Sequence, residues 1–151
     1  MVEDTEGQKL DYELLEVPEL PLTERAREWG ISIKAVPGNY RYYGYYSSQR
    51  KEIALASPEE KVFFHELAHA GHERLNGNIE NGQDPFQEIV AELCAQALCS
   101  LTGHETDRSF SHSYHYIEGY ALKMKLSPHA ACLKVLSETK KVLKLILSGK
   151  N

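Results

Sequence analysis

The chain has 151 residues, 42% apolar and 26% charged, with a formal net charge of −5. This composition excludes a disordered chain and a miniprotein that needs disulfide staples, and its acidic balance speaks against phosphate-backbone binding. There is no apolar run of about 18 or more residues, so no membrane span is expected. The opening Met1-Val2-Glu3-Asp4-Thr5-Glu6 lacks the basic and apolar regions of a secretory signal.

Residues 1–20 are acidic and weakly patterned and are read as a flexible lead-in to one domain over 21–151. Thr23 to Trp29 reads as a short helix stopped by Gly30. Ile31 to Val36, the tyrosine-rich Arg41 to Ser47, and Lys51 to Leu55 read as strands of a small antiparallel sheet, separated by Pro37-Gly38-Asn39 and Ser48-Gln49-Arg50. Ser57, Pro58 and Glu60 form a capping-box pattern that opens a helix running to about Leu75. The loop from Asn76-Gly77-Asn78 to Asn81-Gly82 breaks it, and Asp84 caps a second helix that stops at Gly103. Two more helices are expected over 111–125 and 128–148, divided at Ser127-Pro128.

Cys94, Cys99 and Cys132 are odd in number and lack a C-x-x-C spacing, which argues against a disulfide framework or a zinc knuckle and for a reducing, cytoplasmic setting. Lys134, Lys140, Lys141 and Lys144 read as a solvated helix face rather than a nucleic-acid patch. His104 and His129 read as surface residues.

The chemistry is concentrated in His65-Glu66-Leu67-Ala68-His69. Histidines at i and i+4 share one helix face and can bind one Zn²⁺ together. Glu66 projects beside such an ion and can act as general base on the water it activates. The surrounding Val62, Phe63, Phe64, Leu67, Ala68 and Ala70 make the helix apolar, so its polar groups need partners. Ala68, Ala70 and Gly71 permit close approach by another helix.

A third ligand must come from elsewhere, and Glu88 and Glu92 share one face of the next, otherwise apolar helix. Glu88 is the expected ligand. Glu92 is the expected acceptor for the free ring N–H of a ligating histidine, although spacing alone leaves the two interchangeable. His72 is expected at the rim or at its helix end. In His112-Ser113-Tyr114-His115-Tyr116-Ile117, Tyr116 is the first choice and His112 the second for steadying an oxyanion, against an ordinary aromatic helix face shared with Tyr120 and Leu122.

These residues resemble the zincin-like metallopeptidase domains of ArdC-type antirestriction and polyvalent proteins, and more distantly ImmA/IrrE-type peptidases. The resemblance spans about residues 22–148: Trp29-Gly30-Ile31, Gly44-Tyr45-Tyr46, Ile53-Ala54-Leu55, His65 to His69 with Gly71-His72, Gln87 to Leu93, and Tyr116-Ile117 with Tyr120. The sequence departs from that family where such domains often carry Trp in place of Tyr120, and in a stretch between His69 and His72 that is one residue shorter. The resemblance implies metal on His65, His69 and Glu88, with Glu66 as base. The expected fold is α+β and zincin-like: a small antiparallel sheet, the metal-bearing helix and additional C-terminal helices. The expected activity is zinc-dependent hydrolysis of a protein or peptide by metal-activated water, with Mn²⁺ or another divalent ion as an alternative to Zn²⁺. The rival expectation is an antirestriction or regulatory binding module that keeps a metal site without essential proteolysis.

Overall fold

The structure is a computed structural model and describes residues 20–37, 43–77, 84–104 and 107–149. Among them the element order is α1 (Thr23–Glu28), β1 (Ser32–Ala35), β2 (Gly44–Ser47), β3 (Glu52–Leu55), α2 (Glu60–Asn76), α3 (Pro85–Thr102), α4 (Asp107–Lys123) and α5 (Pro128–Ser148). The class is α+β, with one three-stranded sheet among the described residues. The lead-in at 1–19, the turn at Gly38-Asn39, the start of the second strand at Arg41 and the loop at Asn78 to Gly82 lie outside the described residues.

Local chemistry explains most element ends. After α1, Gly30 takes φ +73°, its N–H meets Arg27 O at 2.9 Å, and Ile31 N–H meets Ala26 O at 2.9 Å. This Schellman closure satisfies carbonyls that the helix end leaves open. Asp84 caps α3 by accepting from Gln87 N–H, and Ser127 caps α5 by accepting from Ala130 N–H, each ahead of a proline in the first turn. α2 departs from the capping-box expectation. Ser57 Oγ accepts from Glu59 N–H at 3.2 Å, two residues on, and the helix starts at Glu60 with no side-chain cap. The N-cap position falls on Glu59, two residues past Ser57, so the serine sits outside the helix's first turn.

The sheet is mixed, which corrects the antiparallel expectation. Its order is β1-β3-β2, with β2 antiparallel and β1 parallel to β3. The turn from Ser48 to Lys51 is short enough for a hairpin between β2 and β3, while β1 pairs on the far side of β3. Alternation along a strand is the same for either direction of its neighbour, so the pattern could not reveal this. Central placement also explains why Ile53, Ala54 and Leu55 are all buried.

The core forms where β3, α2, α3 and α5 meet, with Phe63, Phe64, Leu67, Ile89, Leu98, Val142, Leu145 and Ile146 fully or almost fully buried. Each large apolar side chain contributes about 1.5–3 kcal/mol by leaving water. α2 is the hub, and α3 is its most extensive partner. At Gly71 a Cβ would sit 3.4 Å from Ile146, Trp29 and Val142, so the small residues of α2 admit α5 and the end of α1. Arg25 extends the tie between these two elements, donating to the carbonyls of Ile146 at 2.6 Å and Leu147 at 3.2 Å near the end of α5. Cys94 is a core residue, Cys132 is half-buried, and Lys134, Lys140, Lys141 and Lys144 lie exposed along α5. No helix among the described residues is long and apolar enough to cross a membrane.

Candidate metal centre

α2 carries His65 and His69 one turn apart, with ring centroids 4.9 Å from each other. α3 lies against this face and brings Glu88 between the two rings. Glu88 Oε2 is 2.7 Å from His69 Nε2, and Oε1 is 3.5 Å from His65 Nε2. One donor atom from each of His65, His69 and Glu88 lies within 4.8 Å of the other two. In a tetrahedral zinc site with bonds of about 2.0–2.1 Å, ligand atoms stand about 3.3 Å apart. The two Glu88 contacts straddle that value. Two imidazoles and a carboxylate form a donor set that can hold a divalent ion. These residues therefore fit a divalent ion.

Glu92, one turn beyond Glu88, occupies a different place. Its Oε1 is 3.1 Å from His65 Nδ1, and the residue is 2% exposed. With Nδ1 held by Glu92, Nε2 is the nitrogen turned to Glu88 and the centre of the group, and it is the one that would give up its proton to a metal ion. The geometry thus separates the two glutamates that spacing left interchangeable. Glu92 Oε2 also accepts from Lys61 Nζ at 2.9 Å and from Ser113 Oγ at 2.7 Å. A carboxylate buried this deeply stays ionised only when so supplied with donors.

Electrostatics follow from these contacts. Burial alone would lower the pKa of His65, but Glu88 and Glu92 outweigh it and push it up to about 10. Burial would raise Glu88 and Glu92, yet both are held below the usual carboxylate range, chiefly by hydrogen bonds from His65 and, for Glu88, His69. Glu66, 9% exposed, is raised by burial, with the charges of His65 and His69 opposing. Tyr116 on α4 donates its hydroxyl proton to Glu88 Oε1 at 2.6 Å, and its ring meets His65 edge-on at 5.4 Å. Burial and the Glu88 charge push that phenol far up, so it keeps its proton.

The structure therefore brings together His65, His69, Glu88, Glu92 and Tyr116. Of the aromatic face expected beside Tyr116, Tyr120 is buried with its ring 5.1 Å away, whereas Leu122 is exposed. His72 is not at a rim. Seven residues beyond His65 it lies about 10 Å further along the axis, is 3% exposed, and meets Glu138 of α5 at 3.3 Å. His104 is half-buried, 2.8 Å from Thr102 Oγ1 and 3.5 Å from Glu60, whereas His129 is exposed. Sequence reasoning missed Lys61 and Ser113. Lys61 stands at i−4 from His65, a spacing that puts both on one face and could have flagged it. Ser113 carried no signal, because its partner is set by how α4 packs on α3.

The chain matches no protein-family model, no curated protein and no solved structure.

Proposed function

We propose that this domain is a zinc-dependent metallopeptidase of zincin-like type. The mutual approach of the His65, His69 and Glu88 donor atoms carries the reading, and the hold of Glu92 on the second nitrogen of His65 supports it. A divalent ion held there, Zn²⁺ by donor set with Mn²⁺ as alternative, supplies Lewis acidity and draws the pKa of water towards about 7. Glu66 takes the proton from the attacking water and delivers it to the leaving amine nitrogen, as the new C–O bond forms and the C–N bond breaks. Its raised pKa suits both halves of that transfer. Tyr116 keeps its proton, and its hydroxyl, turning from Glu88 to the substrate, would steady the oxyanion. Glu92 holds His65 in one tautomer.

Glu66→Gln tests this reading in protein purified without a histidine tag. Cleavage of a peptide library is expected to fall by about 10²–10⁴-fold, with about one zinc per chain retained. Parental cleavage by the variant, or a parent that takes up no zinc, overturns it.

The alternative reading is a binding or regulatory module that keeps the metal without cutting. Retention of full cellular activity by Glu66→Gln would select this second reading.

A further inference from the structure

Lys61 is 9% exposed and links two histidines, one directly and one through Glu92. Its ammonium lies 2.9 Å from Glu92 Oε2 and 3.1 Å from His112 Nδ1. Glu92 in turn holds His65 Nδ1 through its other oxygen at 3.1 Å. An ammonium has donors and no acceptor. Paired with a buried carboxylate, Lys61 is charged, so the contact to His112 runs in one direction: Lys61 donates and Nδ1 accepts. The proton of a neutral His112 must then sit on Nε2. Glu92, kept ionised beside the same ammonium, accepts the Nδ1 proton of His65, so that Nε2 is the nitrogen left to meet a metal ion. Lys61 therefore sets the ring proton on one histidine directly and on the other through Glu92.

The position of His112 gives this consequence. It is an exposed residue on α4, and its ring centroid is 6.3 Å from that of Tyr116, whose hydroxyl reaches Glu88. With Nδ1 engaged, its Nε2–H is the donor left for an incoming carbonyl oxygen, next to the phenol. We propose that Lys61 is a positioning residue: it fixes His65 as an Nε2 ligand and His112 as an Nε2–H donor to substrate. The role of His112 towards substrate rests on the peptidase reading, whereas the proton assignment of its ring does not.

Ring-nitrogen NMR of the ¹⁵N-labelled full chain, with and without added zinc, tests this alongside the variants Lys61→Met and Lys61→Arg. In the parent, neutral His112 is expected as the Nε2–H tautomer in both samples. Lys61→Met is expected to release it into a mixture and to weaken zinc binding by about 10-fold or more in a chelator competition. Lys61→Arg, which keeps charged donors, is expected to restore both readouts at least in part. A parent His112 with its proton on Nδ1, or a Lys61→Met protein with unchanged tautomer and zinc affinity, overturns the proposal. If Lys61→Met fails to fold, the parent spectrum still decides it. A parent that binds no zinc but shows the expected His112 tautomer defeats the metallopeptidase reading and leaves the Lys61–His112 assignment standing.

Discussion

On α2, His65 and His72 each meet a glutamate from a neighbouring helix, yet the two rings end in opposite electrostatic states. His65 has both nitrogens engaged, Nδ1 by Glu92 at 3.1 Å and Nε2 by Glu88 at 3.5 Å, and is pushed up to about 10. His72 has Glu138 on Nε2 at 3.3 Å, while its Nδ1 is buried with no partner among the described residues, and burial lowers its pKa. Two buried carboxylates overcome the cost of burying a cation, and one more exposed carboxylate does not. A cluster that holds a proton this firmly is also suited to a divalent cation, since both compete for the same lone pair. His72 has no comparable surroundings, which is why i,i+3 proximity to His69 does not make it a ligand.

The largest test of this contrast removes a proposed ligand from one side only. His69→Ala or Glu88→Ala is expected to abolish stoichiometric zinc uptake, whereas His72→Phe should leave it intact, as read by metal analysis after gel filtration. Equal zinc loss in all three proteins would mean that His72 belongs to the site. Next in size, Glu92→Gln keeps an acceptor for His65 but removes the charge. Zinc affinity is expected to drop by about 10–100-fold, and an unchanged dissociation constant would strip Glu92 of its supporting role.

The pH profile of stability sharpens the comparison in metal-stripped protein. The folded pKa of His65, about 10, lies above its unfolded value of about 6.5. Its contribution is therefore complete below about 6.5 and is lost as pH rises towards 10. The folded pKa of His72 lies below the unfolded value, so its contribution is present above about 6.5 and is lost as pH falls through that lowered value. Denaturant melts across pH should show both slopes. The smallest expected effect is in His72→Phe, which should flatten only the slope just below about pH 6.5. Persistence of that slope in the variant would assign it to another group.

Much of the architecture was legible along the chain because its causes are local. Gly30, Asp84, Gly103 and Ser127 mark helix ends through φ and capping chemistry that act within a few residues, and each does so in the structure. Ser57 misled because the helix begins two residues later than its pattern suggests, with Glu59 at the N-cap and the serine closing a turn before it. The parallel pairing of β1 with β3 was invisible, because strand direction depends on which remote segment supplies the neighbour.

The sequence by itself determined that His65 and His69 share one face of an apolar helix and that Glu88 and Glu92 share one face of the next, since helical periodicity requires nothing beyond the segment. Only the tertiary structure decided which glutamate sits between the imidazoles and which behind one of them, that Lys61 and Ser113 reach Glu92, and that His72 turns to Glu138. Those choices depend on the register at which α2, α3, α4 and α5 pack. A shift of one turn, about 5.4 Å, would exchange the partners while leaving every local pattern unchanged.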